Sequence, residues 1–160
     1  MTYLGEDCSA DCLKRWGLFA TSLGIGDLKR WCALIALSGE KQKPDELTRH
    51  ILMRARMCEL LAENNTNMTK QGGFMLGIFA GLDALLDTPR DQILNQVMLS
   101  EEIKRAILYG EGIYGELLTT VDNLMMCKWN ELSPRYSERV LNEAYQSSII
   151  WVRETLLRMA

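Results

Sequence analysis

The sequence predicts an all-α domain, a compact multi-helix bundle closed by a long C-terminal helix. Apolar residues recur at steps of three and four along most of the 160 residues, and no run shows the two-residue alternation of a half-buried strand at convincing length. Serine, proline and glycine punctuate these stretches where helices start and stop. With 48% hydrophobic residues, no low-complexity tract and no internal repeat, the composition is that of a globular chain. Its length suits one helical domain with a substantial core and leaves no room for a second large one, so residues 1–160 are read as a single domain.

Ser9 suits the N-cap of a first helix running to about Leu23, with Leu13, Trp16, Phe19 and Leu23 on one stripe and Gly24 ending it. Gly26 or Asp27 starts a second, carrying Leu28, Trp31 and Ile35 and closed by Ser38-Gly39, so that the two form a short hairpin. Pro44 fits the first turn of a third helix, with Asp45 and Glu46 near its positive end. Its stripe is Leu47, Ile51, Ala55, Cys58 and Leu61, and Asn64-Asn65 marks the exit. From Gly73 to Leu86 the sequence is apolar on nearly every side, which predicts one continuous helix at the centre of the bundle; Gly77 and Gly81 would share a ridge and admit a close neighbour. Thr88-Pro89 opens a short helix to Val97, Ser100 with Glu101-Glu102 opens another, and Gly110 to Gly115 predicts a glycine-bearing turn before a longer helix to about Cys127. Ser133-Pro134 is read as the start of the last helix, where Val140, Ala144, Trp151 and Thr155 flank a second row of Leu141, Tyr145, Val152 and Leu156.

Charge and motif content exclude several function classes. A formal charge of −3 is made of opposed signs scattered along the helices, without the basic face that phosphate-backbone binding requires, so nucleic acid is not an expected partner. The run from Phe74 to Leu86 contains Asp83 and is too short for about 30 Å of hydrocarbon. Met1 to Gly17 lacks the basic start and apolar centre of a signal peptide, so a cytoplasmic location without membrane insertion is expected. Five cysteines, at 8, 12, 32, 58 and 127, form no CxxC pair and no disulfide framework; Cys8 and Cys12 would share a face with zinc-ligand spacing if a helix began there, although small core residues are the ordinary use of such cysteines. Gly110-Glu111-Gly112 followed by Gly115 superficially resembles a phosphate loop, but no strand precedes it and no Walker lysine follows. Serine and cysteine nucleophiles would all have to share His50 as base.

Two groups remain as candidate functional residues. A carboxylate in a helix as apolar as that carrying Asp83 must be paired, hydrogen-bonded or protonated. Arg54 and Arg56 are its candidate partners and Glu59 their competitor; the four make either a buried ion pair tying central helices or a ligand-orienting site. Trp129 and Tyr136 lie at the junction into the last helix, as either an exposed aromatic anchor for a protein partner or a core seam.

Between Arg54 and Leu118 the segments RARMCELLAE, GGFMLGIFAGLDALLDTP, LSEEIKRAIL and YGELL follow one another at short intervals. LGIGDLKRWCALIAL at 23–37 and KPDELTRHILMRARMCELLAE at 43–63 lie before or across that stretch, and Trp129, Ala144, Tyr145 and Trp151 come after it. This order resembles the HDOD output domain. The resemblance implies an all-helical relative of the HD phosphohydrolases, whose chemistry uses a metal held by several histidines and aspartates, including an adjacent His-Asp pair. Here the single histidine, His50, is followed by Ile51, so that ligand set is missing. No catalytic residue, metal or cofactor is therefore expected, and the chain is read as a non-catalytic signal-transduction output or protein-interaction module. The most similar HDOD versions sit at the carboxyl end of bacterial proteins carrying an EAL domain. This implies a fragment of a longer EAL-HDOD protein in a cyclic diguanylate pathway controlling motility or biofilm formation. Any phosphodiesterase activity would reside in the EAL domain outside this chain, and the partner would be that EAL domain or another signalling protein. Two alternatives stay open: a nucleotide-sensing domain in which Arg54, Arg56 and Asp83 orient the ligand, and a helical hydrolase with an unrecognised site, for which Glu101-Glu102 would have to converge with other carboxylates.

Overall fold

Every regular element in the computed structural model, which describes residues 45–97 and 99–159, is a helix. The hairpin expected over 9–38, with Cys8, Cys12 and Cys32, lies outside the described residues. Helix α1 (Asp45–Ala62) carries Asp45 and Glu46 in its first turn, where carboxylates meet the positive end of the helix dipole. It buries Ile51, Leu52, Ala55, Met57, Cys58, Leu61 and Ala62, which takes in the expected stripe except for Leu47, half-buried near its start. The exit at Asn64 and Asn65 is hydrogen-bonded: the Asn64 side chain donates to the Leu60 carbonyl, and that of Asn65 accepts from the Asn67 amide.

The apolar run expected as one helix over 73–86 is two. Helix α2 (Lys70–Phe79) starts a turn earlier, because the Thr69 hydroxyl caps it by accepting from the Gly72 amide at 2.9 Å. It stops at Phe79, and after Ala80-Gly81 the chain resumes as the short α3 (Leu82–Leu86). The break frees carbonyls that a continuous helix would use internally, and the Arg90 guanidinium donates to one of them, Ala80 O, at 3.0 Å. Asp87, left-handed at φ 49°, ends α3.

Helices α4 (Arg90–Gln96) and α5 (Glu101–Tyr109) follow, the second capped by the Ser100 side chain and ended by Gly110 at φ 67°. The expected turn over 110–115 is shorter than its glycines suggested, since α6 (Gly112–Met125) already contains Gly112 and Gly115. Gly115 serves a close approach: a side chain there would collide with the backbone of Gly110 as α5 turns into α6. A 3-10 turn (Trp129–Glu131) precedes the long α7 (Glu138–Met159). That helix begins five residues later than Ser133 suggested, with Ser137 accepting from the Val140 and Leu141 amides. Ser133 is drawn instead into a clamp with Glu116 and Arg135.

Helices α1 and α2 form the central pair, and α6 and α7 pack against α1. Small residues set the α1–α2 distance. A Cβ at Gly73 would lie 2.5 Å from the Cys58 carbonyl oxygen and 2.8 Å from Ala62 Cβ, and one at Gly77 would strike the backbone of Ala55. The ridge therefore includes Gly73 as well as the expected Gly77. Phe74, fully buried on α2, meets Trp151 of α7 edge to face, with ring centroids 6.3 Å apart. Among the described residues, no helix is long and apolar enough to cross a membrane.

Alanine normally favours a helix over glycine by about 1 kcal/mol. Gly77→Ala is nevertheless expected to lower stability by about 1–3 kcal/mol, because the added methyl must push α1 from α2. Denaturant titration checks this, and an unchanged or raised midpoint would rule out backbone contact at this position.

Candidate functional site

At the C-terminal end of α6 the chain turns through a hydrogen-bonded corner into α7. Cys127 takes a left-handed conformation at φ 59°, its amide donating to Leu124 O, while the Lys128 amide donates to Asn123 O at 2.8 Å. The Asn123 side chain donates to the Glu131 carbonyl at 3.1 Å and so ties the 3-10 turn back to α6. These bonds hold Trp129, which is 63% exposed, without burying it.

Between this corner and the first turns of α7 lies an open cavity of about 780 Å3. Leu124, Leu132 and Leu141 supply apolar walls, Trp129 and Tyr145 face in as aromatics, and Arg139 and Asn142 supply polar groups. Its volume falls within the range of about 300–1,000 Å3 common to ligand clefts. Tyr145 was expected only as one of a packing row; its place beside Trp129 depends on where α7 begins and how the corner folds, which the local sequence does not signal.

Tyr136 lies elsewhere. It is 7% exposed, and its hydroxyl has no hydrogen-bond partner among the described residues. The segment carrying it is clamped on α6 by Glu116, whose carboxylate accepts from the Ser133 hydroxyl and from two nitrogens of Arg135 at 3.1 Å each. The Ser133 hydrogen bond and then Arg135 hold the Glu116 carboxyl below its ordinary pKa. Burial, and next the Glu116 charge, raise that of the Tyr136 phenol. The two aromatics considered together as an anchor thus divide, Trp129 lining the cavity and Tyr136 turned into the core.

The charged residues also divide. Asp83 pairs with Arg90 at 3.0 Å, not with Arg54 or Arg56, because the break after Phe79 carries Asp83 onto a separate short helix facing α4. Arg54 reaches Asp122 of α6 at 2.7 Å, and Arg56 pairs within α1 with the buried Glu59 at 2.5 Å. The Arg56 guanidinium also lies 5.6 Å from the centre of the Trp151 ring, a cation–π arrangement. Neither Asp122 nor Arg90 was foreseen as a partner. His50 is exposed at the edge of the Arg54–Asp122 pair; partial burial, then Arg54, lower its pKa against the opposing effect of Asp122. Among the described residues, no three His, Cys, Asp or Glu side chains are grouped to hold a metal ion.

The two described cysteines contrast. Cys58 is fully buried, its thiol pushed upward by burial and by Asp122, whereas Cys127 is exposed. Brief alkylation of the native chain, read by peptide mass mapping, is expected to modify Cys127 and spare Cys58 until denaturant is added; equal labelling would contradict the burial of α1. Tyr136 generates a pH expectation. Because its pKa is raised in the folded state, its contribution to stability is fully present below the unfolded value of about 10 and is lost as pH rises through the folded value. Tyr136→Phe should therefore lessen the alkaline loss of melting temperature and change stability by less than about 1 kcal/mol near neutrality, where no hydrogen bond is forfeited. A steeper alkaline decline in the variant would refute the burial of the phenol.

Two curated proteins are similar to this chain. Uncharacterized protein YuxH of Bacillus subtilis is 26% identical over 128 residues, which is 78% of this chain and 31% of that protein. Cyclic di-GMP phosphodiesterase CdgJ of Vibrio cholerae serotype O1 is 35% identical over 109 residues, 67% of this chain and 25% of that protein. The chain thus spans about a quarter to a third of the length of the curated relatives it matches. No family model and no solved structure matches it.

Proposed function

We propose that this chain is an HDOD-like domain that acts by binding a protein partner, as a non-catalytic output of a cyclic diguanylate pathway controlling motility or biofilm formation. The observation that carries the reading is an exposed tryptophan held on a hydrogen-bonded corner, lining an open cavity of mixed apolar and polar character. A tryptophan left outside the core contributes little to folding, and this is the residue type most enriched among interface hot spots. The order of HDOD-like segments supports the reading, as does similarity to a protein named as a cyclic di-GMP phosphodiesterase. In this reading residues 1–160 form one domain of a longer cytoplasmic EAL-HDOD protein. Phosphodiesterase chemistry then belongs to the EAL domain, which with other signalling proteins is the partner considered. A nucleotide site on Arg54, Arg56 and Asp83 is not favoured, since those side chains are engaged in three different ion pairs.

Trp129→Ala is expected to change folding stability by less than about 1 kcal/mol while weakening partner capture by about 30-fold, the equivalent of a hot spot worth about 2 kcal/mol. Capture on the immobilised chain, followed by titration of the captured partner against both forms, measures it. A variant that unfolds places Trp129 in the core, and one that binds with undiminished affinity places the contact elsewhere.

A further inference from the structure

The charges around the cavity at the start of α7 select what can enter it. Glu138, Leu141, Asn142 and Tyr145 line it at positions i, i+3, i+4 and i+7, so they form one stripe of α7 about 10 Å long. A carboxylate stands at one end of that stripe and a phenol ring at the other, and the Trp129 indole lines the same space. Arg139, the cationic side chain of the lining, is engaged by Glu143 at 2.9 Å. At the margins Lys128 meets Glu131 at 3.9 Å, and Arg135 is held by Glu116 at 3.1 Å. Glu138 has no ion-pair partner among the described residues, so the matched pairs leave the cavity with one uncompensated negative charge. A carboxylate in the first turn is favoured by the helix dipole alone. That preference does not account for two aromatic rings around the same space, and the negative faces of such rings attract cations as well.

We infer that the cavity receives an arginine side chain of the protein partner, an assignment that rests on the partner-binding reading of Trp129. The guanidinium stacks on an aromatic face and donates to the Glu138 carboxylate, while its methylene stem lies along Leu124, Leu132 and Leu141. Arginine suits this lining better than lysine. A planar, weakly hydrated guanidinium can stack on a ring and fork onto a carboxylate at once, whereas an ammonium is a strongly hydrated point charge. An acidic side chain is disfavoured, because it would meet Glu138 where Arg139, Lys128 and Arg135 are already engaged. A purely apolar side chain would cover Leu124 and Leu141 but leave the Glu138 charge partly desolvated and unpaired.

Blocked glycine pentapeptides with arginine, lysine or citrulline at the centre test the assignment on the 160-residue chain. Citrulline keeps the shape of arginine and removes its charge. Binding is followed at low ionic strength by nuclear magnetic resonance of the Trp129 indole N–H, identified by its loss in Trp129→Phe. The arginine peptide is expected to give saturable shifts with a dissociation constant on the order of 1 mM. The lysine peptide should bind more weakly, and the citrulline peptide at least about fivefold more weakly. Glu138→Gln should weaken the arginine peptide about fivefold, leave the citrulline peptide unchanged and keep the helical signal, since Glu138 is exposed. No saturable shift at millimolar arginine peptide overturns the assignment. So does a lysine or citrulline peptide that binds as tightly, or an arginine peptide indifferent to Glu138→Gln. The peptides probe the cavity without the partner, so the two readings fail separately: any of those results leaves Trp129 as a protein contact if Trp129→Ala still weakens partner capture.

Discussion

The contact on which the rest of the domain depends is the backbone approach of α1 and α2. Gly73 and Gly77 present no side chain toward Cys58, Ala62 and Ala55, so two helices that would otherwise be held apart by side chains touch along their backbones. Each glycine in a helix interior costs about 1 kcal/mol in propensity. The return is dense packing at the centre, where Leu52, Met57, Leu61, Phe74 and Leu76 are all essentially inaccessible to solvent. Were the two helices moved apart by a methyl group, Phe74 could not keep its edge-to-face contact with Trp151, and α7 would lose a main reference to the core.

Polar interactions operate one layer out, where they position elements more than they stabilise them. Arg54 to Asp122 joins α1 to α6, and Arg90 joins α4 to both Asp83 and the carbonyl released at the α2–α3 break. Pairs this accessible to water are worth little individually, and their geometry is the more informative property. The same is true of the Glu116 clamp on Ser133 and Arg135, which sets the path of the chain between α6 and α7. With Asn123 bonded to the 3-10 turn, the corner holds Trp129 outward by hydrogen bonds that require no burial of the indole. A recognition residue on such a support meets a partner with little ordering left to do.

The long helix meets two environments: the cavity with Trp129 and Tyr145 opens at its beginning, while Ser148 and Val152 toward its middle are buried against the core. Tyr145, on the second turn of that helix, is shared between the cavity wall and the helix surface.

Much of the architecture was legible in the sequence, because helix periodicity and capping are local. The apolar stripe of α1, the Ser100 cap, the Gly110 stop and a long terminal helix all follow from residues within a turn or two of one another. The same local rules misread Gly73 to Leu86 as one helix, since its apolar residues satisfy a helical pattern on either side of the break and nothing nearby foretells that Arg90 will take the freed carbonyl. The candidate site was legible only in part: Trp129 was marked by residue type and position, whereas its exposure, the burial of Tyr136 and the inclusion of Tyr145 depend on how the corner folds back and where α7 packs. Ion-pair partners were the least legible, because any arginine can reach any carboxylate that folding brings near it; Arg54 met Asp122, 68 residues away, and Asp83 met Arg90. The sequence by itself determined helix content, most helix limits and the residue types available for recognition, because these are set by neighbours along the chain. Only the tertiary structure decided which of those residues face solvent and which charges meet, because both depend on how the helices pack against one another and not on neighbours along the chain.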